Sequence, residues 1–181
     1  MSISTRSGLR LRQLTLTALF AALLCVICPI SIPVWAIPIT FSLLAVYLTG
    51  GILGPVWGLA AVFVYLLLGA VGLPVFSGFS GGIGKLIGIT GGYLIGYLPC
   101  VAIVGFSRRY PYLFPVLSVA GLAVCYLFGT VWFSISSGNT FVASLTVAVV
   151  PYLPFDAIKI VAASLLFYPL RAALSRFTPM Q

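Results

Sequence analysis

Three charged side chains stand apart from the arginines of this sequence: Lys85, Asp156 and Lys159. Asp156 is the only acidic residue, and the two lysines are the only ones in the chain. Asp156 and Lys159 lie inside the apolar run LPFDAIKIV, Leu153 to Val161. Their i, i+3 spacing puts them on one helix face. Two readings stay open for such a pair. It is a self-neutralising ion pair that lets an apolar helix tolerate its own charges, or it is part of a ligand site. A charge at bilayer depth costs about 2.5–3.5 kcal/mol on insertion scales, so a use is expected. The count favours a ligand: two lysines against one aspartate leave one positive charge, which a small molecule with one carboxylate would balance. Asp156 would then accept from donor groups of the ligand, or hold Lys159 in place. Pro151 and Pro154, just before the pair, interrupt the helical hydrogen-bond ladder and free backbone groups. Such breaks line sites in membrane proteins, and they also mark ordinary helix starts.

The elements that position these charges are membrane helices. The 181 residues are 62% hydrophobic and 6% charged, without histidine, and mean hydropathy is +1.25. A soluble domain is about 25% charged, and stretches of membrane-spanning length recur along the whole chain. The expected fold class is an all-α membrane protein, one integral membrane domain over 1–181. Six spans are predicted, at about 14–31, 36–50, 52–72, 86–106, 111–134 and 146–170, with a Gly-rich outer loop between helices 3 and 4. The second segment is short for a span of ~20 residues, so the count needs a second argument. The arginines supply it. With Arg6, Arg10 and Arg12 in the cytoplasm, four spans return Arg108 and Arg109 to that side. Two more spans return Arg171 and Arg176. The loops then assigned outside, near 32–35, 73–85 and 135–145, hold no arginine. Both termini are expected inside. By the same count, Lys85, Asp156 and Lys159 all fall toward the outer side, the last roughly 18 Å of helix from Arg171.

Several function classes drop out. The net charge of +8 sits at the ends of apolar segments, not on a soluble basic face, so nucleic acid is excluded as a partner. No phosphate-binding G-x-x-x-x-G-K-[ST] is present, and no acidic cluster to organise Mg²⁺, so the chain does not hydrolyse ATP. An intramembrane enzyme is disfavoured by the missing general base. Cys25, Cys28, Cys100 and Cys125 read as small buried hydrophobes, Cys25-x-x-Cys28 lacking a second ligand pair. No metal site and no cofactor are expected. The apolar run after the first arginines lacks a cleavage signal and reads as an uncleaved first helix.

Two further stretches carry weight. GLPVFSGFSGGIGKLIGITGGYLIGYL, Gly72 to Leu98, holds nine glycines. Glycine lets backbone turn sharply or approach a ligand closely, and Phe76, Phe79, Tyr93 and Tyr97 supply faces for a ring. The blander reading is a flexible loop followed by Gly-x-x-x-Gly packing faces, Gly88 to Gly92 and Gly92 to Gly96. In TALFAALL, Ala18 and Ala22 form a small-x-x-x-small pair on one helix face.

GLPVFSGFSGGIG, TGGYLIGY and PFDAIK, in this order and spacing, resemble the BioY-type biotin-binding substrate (S) subunits of energy-coupling-factor (ECF) vitamin transporters. The resemblance runs from about Ile30 to Leu170. It implies six spans with both termini inside, biotin capture from outside, and no ATPase of the chain's own. The implied partners are a transmembrane T subunit and a pair of ABC-type ATPases, in the cytoplasmic membrane of a bacterium and in contact with membrane lipid. Asp156 and Lys159 match the family's P-x-D-x-x-K, and Lys85 falls where the family tends to have a basic residue, often Arg. Lys85 or Lys159 then pairs the biotin carboxylate, and Asp156 accepts from a ureido N–H. Phe79 and Tyr93 wall the rings, and Ser80 and Thr90 complete the implied substrate-facing set. Ala18 and Ala22 look like the first-helix pair that docks the T subunit. Gly88-Ile89-Thr90 departs from the family's G-P-T by losing its proline. The readings kept beside this one are an S subunit for another small vitamin or biotin precursor, and an assembly subunit without a ligand.

Overall fold

The structure, a computed structural model, describes residues 3–33 and 38–177. Its helices are α1 (Ile3–Ile27), α2 (Ser42–Leu53), α3 (Pro55–Ala70), α4 (Ile83–Ile87), α5 (Gly91–Gly105), α6 (Phe114–Ser137), α7 (Phe141–Ala148) and α8 (Leu153–Phe177). One short antiparallel pairing joins β1 (Ser31–Ile32) to β2 (Ile39–Thr40). The fold is a helical, membrane-type bundle, as composition predicts. Among the described residues, three stretches are long and apolar enough to cross a membrane: Arg10–Ile27, Pro111–Ser137 and Phe141–Leu174. The helices α2 and α3 are shorter and apolar.

The expected segments are therefore not six uniform rods. The one drawn over 86–106 is two helices, α4 and α5, separated at Gly88–Thr90. There the Gly88 carbonyl accepts from the Gly91 N–H at 2.9 Å in a tight turn and from Trp132 Nε1 at 3.0 Å. The one drawn over 146–170 begins earlier, in α7, passes through a 3-10 turn at Val150–Tyr152, and runs to Phe177. Pro151 and Pro154 lack the N–H groups that would continue one helix through this turn. Half of the loop expected at 135–145 is thus the start of α7, capped by Thr140 Oγ1, which accepts from the Ala143 N–H at 3.4 Å. The segment drawn over 36–50 becomes helical only at Ser42, because Ile39 and Thr40 pair with β1. Its positions 36 and 37, and 34 and 35 of the preceding loop, lie outside the described residues, as do the side chains of Arg6 and Arg176.

Close helix packing explains two of the glycines. A Cβ at Gly92 would stand 2.2 Å from Trp132 Cβ, and one at Gly96 would stand 3.1 Å from the Cys125 Cα. Side chains there would hold α5 away from α6, so the Gly-x-x-x-Gly face serves packing. Two aromatic pairs close the core toward its two ends. Tyr65 and Phe76 meet edge to face at 5.7 Å, and Phe114 stacks on Phe167 at 4.1 Å. All four rings are fully buried. Cys28, Cys100 and Cys125 are buried and free, and Cys25 is partly buried and free.

The Gly-rich loop is pinned in place. Phe76 packs over Gly69, where a Cβ would lie 2.0 Å from its ring. The Phe76 N–H donates to the Ser80 carbonyl at 2.9 Å, Gly78 N–H to Pro29 at 3.0 Å, and Gly82 N–H to Gly69 at 2.7 Å. The last two bonds tie the loop to Pro29, just past α1, and to the end of α3, at the end of the bundle where the charged pair sits.

Candidate functional site

Asp156 occupies the first turn of α8, where a negative charge also meets the positive end of the helix dipole. The prolines start the helix here: Pro151 and Pro154 fit a first turn, whose N–H groups have no intrahelical partner anyway. Lys159, one turn on, closes an ion pair of 2.7 Å from Nζ to Asp156 Oδ1. Tyr126 of α6 donates its hydroxyl to Oδ2. Both carboxylate oxygens are thus engaged, and Asp156 is only 3% exposed. Each oxygen keeps a second lone pair, so the carboxylate can still accept from a ligand.

The pair borders a cavity whose empty space, mouth included, is about 660 Å³. The start of α2 brings Ser42 and Leu43 to it, and α3 brings Tyr65. The helix α5 contributes Tyr93, Leu94 and Tyr97, and α6 contributes Tyr126. Pro38, Ile39 and Thr40 close another side, with Ala148 and Tyr152 near the start of α8. Tyr93 Oη donates to the Ala148 carbonyl at 3.0 Å, which fixes α5 against the end of α7. The walls are therefore aromatic and aliphatic, with hydroxyls and one neutralised charge pair at defined points. Such a site suits a small molecule with an apolar body and a few polar groups.

Of the residues named from sequence, the structure brings Asp156, Lys159, Thr90 and Tyr93 together at this cavity. Lys85, half-exposed on α4, is not among its walls. Phe79 stands 69% exposed at the loop tip, with φ +54, a conformation unusual for a bulky residue. Ser80 holds the loop, its Oγ donating to the Ser77 carbonyl at 2.8 Å. The loop residue that reaches the cavity is Ser77. Ala18 and Ala22 are exposed on the outer face of α1. Tyr97, named from the Gly-rich stretch as a face for a ring, also lines the cavity, whereas Tyr126, Tyr65 and Ser42 were not named from the sequence. Nothing in the spacing of those three marked them. Among the described residues there is no cluster of side chains fit to hold a metal ion.

A family model described as the BioY family matches residues 2–176. Over 158 residues, 86% of this chain and 93% of the relative, the sequence is 37% identical to a "Probable biotin transporter BioY" of Pyrococcus horikoshii. It is 38% identical to the "Biotin transporter BioY" of Thermotoga maritima over 159 residues, 86% of this chain and 94% of that one. The fold matches a solved chain described as the "S-component for biotin from an ECF-type ABC transporter", with a TM-score of 0.82, 25% identity and 95% of each chain covered. Sequence, relatives and fold converge over nearly the whole length: the chain belongs to the BioY family.

Proposed function

We propose that this chain is the substrate-capture subunit of an ECF-type transporter, binding biotin in the cavity beside Asp156 for uptake across the cytoplasmic membrane. The observation that carries the reading is a buried carboxylate, held by Lys159 and Tyr126, in the wall of an aromatic cavity. Biotin offers two ureido N–H donors, a ureido carbonyl, an apolar bicycle and one carboxylate. The spare lone pairs of Asp156 take a ureido N–H, and Tyr93 and its neighbours wall the rings. Lys159 is occupied by Asp156, whereas Lys85 has no hydrogen bond or ion pair among the described residues. The ligand carboxylate is therefore assigned to Lys85, and Phe79 and Ser80 to the loop over the mouth. Thr90 completes the polar lining.

The helices amount to six passes, with α4 and α5 forming one and α7 and α8 another. Arg108 and Arg171 meet at one end, where Arg171 Nη1 reaches the Ser107 carbonyl at 3.3 Å. The Gly-rich loop and Pro29 meet at the other. Both termini then lie in the cytoplasm. Ala18 and Ala22 leave a small-residue face open for a T subunit, and ATP hydrolysis belongs to a partner ATPase pair. Uptake of radiolabelled biotin by a biotin-requiring host, with and without T and ATPase subunits, tests the assignment. Saturable accumulation that depends on this chain is expected. No accumulation under any combination, with the chain present in the membrane, would refute it.

A further inference from the structure

Arg108 and Arg171 stand together at the end of the bundle remote from the cavity. Arg108 ends the 3-10 turn Phe106–Arg108 that follows α5, and its Nη1 donates to the Leu53 carbonyl at the end of α2. Arg171 reaches the Ser107 carbonyl from α8. Among the described residues, the buried Arg108 Nε has no hydrogen-bond partner. A guanidinium carries five N–H donors, and each of these two makes one hydrogen bond among the described residues. Burial first, then the charge of Arg171, holds Arg108 below its ordinary pKa. The chain has no side-chain counter-charge for them. Its one carboxylate side chain, Asp156, precedes Arg171 by fifteen residues, about 22 Å of helix, and is already paired with Lys159.

The surroundings set the depth of the pair. Tyr110, Tyr112 and Tyr168 are exposed in the same region, and Tyr168 Oη reaches the Pro111 carbonyl at 3.5 Å. Exposed tyrosines gather at the headgroup level of a bilayer. Next to them in the chain, Phe106, Val116 and Leu165 present apolar side chains to the outside. Basic pockets between membrane helices, at this level, hold phosphate-bearing lipid headgroups, and the guanidinium fork matches phosphate oxygens in pairs. Arg171 also lies over the Phe167 ring at 5.9 Å, whereas Arg109, over the Tyr110 ring at 5.6 Å, is exposed and shares neither of the pair's hydrogen bonds.

We propose that Arg108 and Arg171 form a site for the phosphodiester headgroup of an anionic phospholipid, whose acyl chains lie against the exposed apolar side chains beside it. The site is separate from the ligand cavity and does not depend on what that cavity binds. Native mass spectrometry of the purified protein, offered phosphatidylglycerol and phosphatidylcholine with the same acyl chains, tests it. The wild type should retain phosphatidylglycerol about tenfold over phosphatidylcholine, whose choline cation offsets the phosphate charge that the two guanidiniums would pair. Arg171→Gln should abolish most of that preference, and Arg10→Gln, at the exposed start of α1, should leave it intact. Arg108 also closes α2, so Arg108→Lys is measured beside Arg108→Gln, with circular dichroism to confirm folding. Arg108→Lys should keep part of the preference, because it retains charge and loses the fork. Equal retention of the two lipids would overturn the proposal, as would an equal effect of Arg10→Gln. Loss of the bound lipid to millimolar inorganic phosphate would overturn the lipid assignment in favour of a free-anion site.

Discussion

At the cavity end of the bundle, Asp156 and Lys159 lie 2.7 Å apart and cancel. At the other end, Arg108 and Arg171 come together with no carboxylate side chain between them. The difference follows from depth. Unpaired charge in hydrocarbon is expensive, so a charge kept there is paired and given hydrogen bonds. Charge at the headgroup level meets water and lipid phosphate, and can stay unpaired while it orients the chain. The proposed ligand recognition therefore falls to the carboxylate at the cavity end, and the proposed lipid contact to the arginines at the other.

The strongest test of that contrast removes one partner of the buried pair. Asp156→Asn leaves Lys159 uncompensated and should cost about 3–5 kcal/mol of stability, read by thermal unfolding in detergent. Adding Lys159→Met should recover most of the stability and none of the biotin binding. Recovery of binding as well would make the pair a structural device only. A matched pair of glycine substitutions comes next. Gly69→Ala pushes on Phe76 at the cavity end, and Gly51→Ala pushes on the stacked Phe114 and Phe167 rings at the other. Each should lower stability by about 1–3 kcal/mol through overpacking. Only Gly69→Ala should also weaken biotin binding, because it displaces the loop beside the cavity. Tyr126→Phe removes one hydrogen bond to Asp156 and should weaken biotin binding by about tenfold, measured by calorimetry. Lys85→Ala should produce the smallest change, about fivefold for biotin, as expected for a half-exposed ion pair. It should have no effect on the affinity for biotin amide, which lacks the carboxylate.

Asp156 and Lys159 were legible because the chain holds so few charges that their positions carry information by themselves. The arginines were legible for the same reason, and their parity anticipated that Arg108 and Arg171 share one end. The closure of α2 by Arg108 was not legible, since it depends on how the end of α5 meets Leu53 in space. Tyr126 was hidden for a different reason. It is one of nine tyrosines in an aromatic-rich chain, and only the packing of α6 against α8 aims its hydroxyl at Asp156. The loop shows the limit of motif reading. Its composition pointed to Phe79 and Ser80, yet burial of Phe76 over Gly69 turns Phe79 outward and brings Ser77 to the cavity. At the break before α5 the Gly88 carbonyl joins a local turn to a tertiary contact, Trp132, and no local spacing encodes the second.

In the proposed function, the carboxylate of Asp156 recognises biotin in the cavity it borders. Calorimetric titration of the purified wild type and of Asp156→Asn with biotin tests it most directly. Saturable binding of one biotin per chain is expected of the wild type, and a loss of about a hundredfold or more in the variant. Absence of binding by the folded wild type, or equal affinity in the two proteins, would contradict it.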